Sequence, residues 1–189
     1  MAANLSFSGG KSSLSLKEGK EEVVLSEGAV VNLDDMTITG EKIVLSGEDW
    51  RYVECEGSTL IDDTSRGLAI RAVDILYDRQ SETLSIGSWF EVNDTQQEIT
   101  AMGGSMYFDM ESEVLELNQQ VTLLKITDRG IMECSAESMI YDRNNSSLSL
   151  RSNATVNWNG DEYKAEVISV NLENDEIKLE GRIKGTING

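Results

Sequence analysis

The chain has 189 residues, 39% of them hydrophobic and 26% charged, and carries a formal net charge of −18 with no histidine and no proline. Such acidity counts against nucleic acid as a partner, because neutralising phosphates takes clustered Lys and Arg, and against unassisted binding to an anionic membrane. The lack of His removes the commonest general base, the Ser-His and Cys-His pairs and the commonest zinc ligand; no apolar run approaches the ~18 residues a spanning helix needs.

Residues 1–7 read as a flexible N-terminal segment, since Met1-Ala-Ala-Asn-Leu has neither the basic start nor the apolar stretch of a secretory leader. Residues 8–22, with Leu14 and Leu16, read as a degenerate strand. From there two strand types alternate. The first runs Val23-Val-Leu25-Ser-Glu-Gly28-Ala-Val-Val31 and recurs at 53–61, 84–92, 115–123, 148–158 and 177–183, nearly always interrupted by Gly or Asn. The second has a small residue, an apolar residue three on, another two later, then Asp, Asn or Ser. Its copies are Gly40 with Ile43 and Leu45, Ala72 with Ile75 and Tyr77, Gly103 with Met106 and Phe108, Ala136 with Met139 and Tyr141, and Ala165 with Ile168 and Val170.

Apolar residues at period two share one face of an extended strand. A unit of about thirty residues that recurs along a chain buries a core only against its neighbours. The links, such as Asn32-Leu-Asp34-Asp35, Asp78-Arg-Gln-Ser-Glu82 and Asp142-Arg-Asn-Asn-Ser146, are short and rich in Asp and Asn, which bond their own backbone in turns. Strand direction therefore alternates. The expectation is an all-β protein of about twelve antiparallel strands forming one domain over residues 8–187. A Gly or Asn at the same place in each first-type strand predicts a crease that folds the sheet over on itself. The two ends are out of phase: Leu14 and Leu16 at one, and Ile177, Leu179 and Ile183 at the other, form edges that would continue the alternation if two molecules met head to tail.

No residue set carries chemistry. Asp34-Asp35 and Asp62-Asp63 lack the spaced loop signature that gathers the ~6–8 oxygens of a calcium site, and adjacent acids on a turn point apart, unlike a glycosidase pair. They read as solvated turns. The sequence assigns no catalytic residue, no metal ligand and no cofactor. Cys55 and Cys134 fit either a disulfide or two buried free thiols, and their apolar alternation favours the thiols. Trp89, Phe90 and Trp158 read as packing at strand ends.

The stretches "VVLSEGAVV…GEKIVLSGED", "ECEGSTLIDD…AIRAVDILYDRQSETL" and "MECSAESMIYDRNNSSLSL" resemble the LptA/OstA family, periplasmic bridge proteins of lipopolysaccharide transport. The resemblance spans residues 8–187 and rests on repetition. It implies a twisted, V-shaped β-jellyroll open at both ends, a periplasmic location (with a leader absent from this sequence), a non-enzymatic role and end-to-end homo-oligomers. The partners it implies are lipopolysaccharide or another acylated lipid, together with membrane-anchored transport proteins. On residues alone, Ile43, Leu45, Ile75, Tyr77, Met106, Phe108, Met139, Tyr141, Ile168 and Val170 read as plain core; the resemblance implies a lipid groove lined by some of them. The alternative role is a structural β-stack that polymerises without lipid cargo.

Overall fold

The computed structural model describes residues 5–17 and 19–188. Among these there is no α-helix, only one short 3-10 turn at Glu48–Trp50 and sixteen strands. They are β1 (Leu5–Ser8), β2 (Lys11–Lys17), β3 (Lys20–Leu33), β4 (Met36–Ser46), β5 (Tyr52–Asp63), β6 (Leu68–Asp78), β7 (Thr83–Ile86) and β8 (Phe90–Asp94). There follow β9 (Ile99–Gly103), β10 (Ser105–Asp109), β11 (Val114–Thr127), β12 (Gly130–Asp142), β13 (Ser147–Trp158), β14 (Asp161–Asn171), β15 (Glu176–Glu180) and β16 (Lys184–Thr186). Of the segment read as a flexible lead-in, residues 1–4 lie outside the described residues, and β1 pairs with β3.

All pairings are antiparallel and make one sheet. β1 and β2, β7 and β8, β9 and β10, and β15 and β16 are each the two halves of one crossing, so the chain crosses the sheet twelve times. Each crossing pairs only with those before and after it. The pairing closes one ring, β6–β7–β10–β11–β9–β8, around the point where two adjacent crossings are interrupted; the first and last crossings have no strand on their outer side among the described residues.

The crease is real and has two forms. In five of the six first-type crossings two consecutive residues adopt left-handed backbone: Glu27-Gly28, Gly57-Ser58, Gln119-Gln120, Ser152-Asn153 and Gly181-Arg182; the sixth is interrupted between β7 and β8 instead. The register shifts there, for example between Glu56 and Thr59. The pair of bulged residues leaves inward parity unchanged, so Val53, Cys55, Ile61 and Asp63 all face in. Gly57 has φ 71°, and a Cβ on it would meet a Glu41 carboxylate oxygen at 2.5 Å. In second-type crossings parity swaps instead: Ala72 is the last inward residue before the bend and Ile75 the first beyond it. That is the physical content of the small-x-x-apolar signature. The small residue sits at the inner apex, where a Cβ on Gly103 would lie 2.9 Å from the Phe90 ring.

Several turns are alike because one Asp or Asn side chain organises them. Asp78 Oδ1 accepts the Gln80 and Ser81 amides at 3.0 and 3.3 Å, Asp109 Oδ1 accepts those of Glu111 and Ser112 at 3.1 Å, and Asn171 Oδ1 accepts those of Glu173 and Asn174 at 3.0 and 3.2 Å. A left-handed residue then closes the turn at Glu82, Glu113 and Asp175. The creased sheet brings its two lines of turns toward each other over a single apolar core.

Candidate functional site

The ten expected groove residues fall on two ladders that cross the whole sheet. The first passes from partner to partner through Leu14, Val23, Leu45, Val53, Tyr77, Leu84, Phe108, Leu115, Tyr141, Leu148, Val170 and Ile177. The second runs Leu25–Ile43–Cys55–Ile75 and continues Ile86–Met106–Leu117–Met139–Leu150–Ile168–Leu179. Every one of the ten is buried. Between Met36, Tyr77, Phe108 and Met110 only a residual cavity of about 10 Å3 remains. The ladders thus pack as core in this state.

The ends of the ladders differ from their middles. Leu14 lies on the core face opposite buried Val23 yet is 59% exposed, and Leu16 beside it is 68% exposed. At the far edge Ile177 and Leu179 sit opposite buried Val170 and Ile168 but are themselves only half-buried, and Ile183 is 57% exposed. The apolar interior therefore runs out into solvent at both terminal edges.

The two lines of turns form the rims of the folded sheet. Turn-to-turn bonds knit each rim: Thr64 and Thr95 amides donate to the Asp35 and Gly67 carbonyls on one, and Arg79, Met110 and Arg143 amides donate to those of Arg51, Glu82 and Glu113 on the other. Toward the N-terminal end the rims stand apart and leave a cleft of about 680 Å3, within the ~300–1,000 Å3 range of ligand sites. Leu33, Met36, Tyr77 and Met110 supply its apolar lining; Arg51, Arg66 and Arg79 stand among several acids on its border. None of the three arginines is free. Arg51 Nη2 pairs with Asp78 at 2.6 Å, and Arg79 Nη1 donates to the Asp49 and Trp50 carbonyls at 2.8 Å.

In the middle of the molecule the rims are bolted together. Arg66, from the β5–β6 turn, holds Asp63 at 2.9 Å and reaches across to Glu113 at 2.5 Å and the Met110 carbonyl at 3.2 Å. Arg143, from the β12–β13 turn, reaches back to Asp94 at 2.7 Å and the Arg66 carbonyl at 2.7 Å, and also bonds Glu113. The Tyr141 hydroxyl donates to Asp94 at 2.8 Å. Asp94 is fully buried, so its charge is tolerable only because Arg143, Tyr141 and the Gln96 and Gln97 amides satisfy it.

The electrostatics follow from these contacts. Burial alone would raise the Asp63 carboxyl, but the Ser65 hydroxyl, the Arg66 amide and its guanidinium outweigh that and hold it below the usual carboxylate range. Burial, then the neighbouring Asp94 charge, pushes the Tyr141 hydroxyl well above its ordinary value. Hydrogen bonding from Arg51 pulls the Asp78 carboxyl down. Cys55 and Cys134 are free and buried, and burial pushes both thiols up to about 12.

Some expectations need correction. Asp34 and Asp35 are exposed turn residues, but Asp63 is a buried ion-pair partner, not a solvated one. Trp89 is 49% exposed at a crease, whereas Phe90, first in β8 and wholly buried, and Trp158, last in β13 with its Nε1–H donating to Thr127, pack at strand ends as expected. The bolt was invisible to pattern reading, although one signal existed: Asp63 and Asp94 each stand two residues past an inward Ile61 or Val92, in phase with the core. Among the described residues no group of His, Cys, Asp and Glu is arranged to hold a metal.

No family model matches the chain, and no curated relative does. Among solved structures it is similar to LptH, the LptA homologous periplasmic component of the lipopolysaccharide transport device from Pseudomonas aeruginosa. Sequence identity is 12%, the match covers 99% of this chain and 96% of that one, and the TM-score is 0.33.

Proposed function

We propose that the protein is a non-enzymatic, periplasmic bridge that shelters acyl chains of lipopolysaccharide or a related lipid and joins copies of itself end to end. The carrying observation is that the first apolar ladder ends in an incompletely covered core-face side chain at each edge, Leu14 and Ile177, and the second does so at the C-terminal edge, at Leu179. A second copy presenting the opposite edge would continue the ladders and supply the missing cover, by β-augmentation. The likeness of the repeats to the LptA/OstA pattern supports the same reading, and extends it to membrane-anchored transport partners at the ends of the stack.

In this reading the cleft is where acyl chains enter. Met36 and Met110 separate it from the core, and the unbranched thioether side chains can move aside at low cost. Each methylene buried is worth ~0.8 kcal/mol at most, so a chain that displaces packed side chains is held loosely enough to pass on.

One observation favours a second reading. The interior is filled, which suits an assembly module that stacks through its edges and carries nothing. Native mass spectrometry after exposure to a bacterial lipid extract separates the two. The bridge reading expects a retained acylated species, diminished by Met110→Trp, which would plug the cleft floor. Concentration-dependent oligomers with no lipid retained would leave only the assembly module. Oligomers undiminished by both Leu14→Asp and Ile183→Asp would remove the end-to-end contact from either reading.

A further inference from the structure

The outer face of the sheet carries a basic concavity at its C-terminal end. It has a volume of about 790 Å3 and lies over the last crease, between β13, β14 and the terminal edge. Arg151, Lys164, Arg182 and Lys184 border it, with Glu166 as its one acid. In a chain with 16 Lys and Arg against 34 Asp and Glu, that concentration runs against the whole molecule's charge.

The register sharpens the point. Lys164 on β14 and Lys184 on β16 are direct cross-strand partners. Like charges directly opposite one another repel. Two other cross-strand cations on this sheet face an acid, Lys42 opposite Glu56 at 3.1 Å and Arg71 opposite Glu91 at 3.0 Å, and the one other Lys opposite Lys among the described residues, Lys17 with Lys20, flanks the β2–β3 turn and lines no concavity with further cations. Glu166 is taken by Arg182 at 2.6 Å and Glu162 by Lys164 at 2.8 Å. Arg151 and Lys184 are left without an ion pair among the described residues. Ser152, Asn153 and Thr155 add hydrogen-bonding groups to the same wall.

We propose that this concavity binds a phosphate-class polyanion, with Lys164 and Lys184 straddling it and Arg151 and Arg182 closing on it. A multiply charged oxyanion removes the Lys–Lys repulsion and accepts from the guanidinium groups in the geometry that planar donors suit. The source is a soluble polyphosphate or a phosphorylated lipid headgroup. The site lies on the opposite face of the sheet from the ladders, so it does not depend on lipid carriage in the core, and either reading can fail alone.

Titration calorimetry with inorganic tripolyphosphate at low salt tests the soluble source, and cosedimentation with phosphatidylcholine vesicles, with and without phosphatidic acid, tests the headgroup. The expected result is saturable binding in at least one arm, weakened by added salt and at least about tenfold weaker in Lys164→Gln/Lys184→Gln. The charge-matched control Lys42→Gln/Lys125→Gln should bind like the parent. Arg151→Gln gives an independent variant should the double substitution disturb the edge strand, and it too should weaken binding. Saturation with tripolyphosphate assigns a soluble anion; binding confined to phosphatidic acid vesicles assigns a headgroup. No binding in either arm, or equal loss in the control, overturns the proposal.

Discussion

Two copies of one motif behave differently. Tyr77-Asp78-Arg79 and Tyr141-Asp142-Arg143 occupy the same place in the repeat, and both arginine amides bond a carbonyl of the preceding turn on their rim. Yet Arg79 turns to carbonyls on its own rim, while Arg143 crosses the gap to Asp94. The difference lies in what stands opposite. Along the facing rim one register row runs Leu33, Met36, Asp63, Leu68, Asp94. Asp94 offers Arg143 and Tyr141 a buried carboxylate, whereas Met36 offers Tyr77 and Arg79 none. One repeat unit therefore builds either a bolt or an open cleft, and the buried carboxylate facing it from the opposite rim marks the difference.

The largest test of this contrast is a pair of substitutions. Arg143→Met strands Asp94 as an uncompensated buried charge and should cost ~3–5 kcal/mol of stability in urea denaturation. Arg79→Met removes hydrogen bonds to carbonyls at the cleft border but strands no buried charge there, and should cost less than Arg143→Met. Equal effects would mean that the bolt carries no special weight. Next in size is the tyrosine pair. Tyr141→Phe loses the hydroxyl that donates to Asp94, for ~1–2 kcal/mol, while Tyr77→Phe should be close to neutral in the same measurement.

Acid should loosen the bolt in a defined direction. The Asp63 carboxyl is held below its ordinary value, so it contributes stability above its unfolded pKa of about 3.9, and that contribution disappears as pH falls through the lower folded value. Urea midpoints should stay level from pH 7 toward 5 where this group is concerned and drop below about pH 4, with a shallower drop in Asp63→Asn. The smallest effect concerns the thiols. Both are buried and raised to about 12, so neither should react with a thiol reagent at pH 8 in the native state. In mild urea Cys55, in the half that holds the open cleft, should label before Cys134.

The repeat made the ladders legible. Period-two spacing identified Ile43, Leu45, Ile75, Tyr77 and their counterparts as inward residues, because strand geometry ties sequence parity to one face. It also made the crossings countable, since Asp and Asn turns and creased strands leave local marks. What it could not show is contact across the fold. Arg66 meets Glu113 and Arg143 meets Asp94 only after a creased sheet brings distant turns together. Asp63 and Asp94 carry the right phase but the wrong chemistry for a core, so a reading weighted toward apolar residues passes over them. The left-handed pair Gln119-Gln120 shows the same limit: the crease falls beside Asn118, on residues with no propensity to advertise it.

Each crossing is stitched only to its sequence neighbours, and the bolt needs nothing before Asp63 or after Arg143. Whole hairpins could be gained or lost outside that span without unpicking a single bond within it. The architecture is thus a ruler with a fixed clamp and adjustable arms, whose reach duplication can lengthen and deletion shorten one unit at a time.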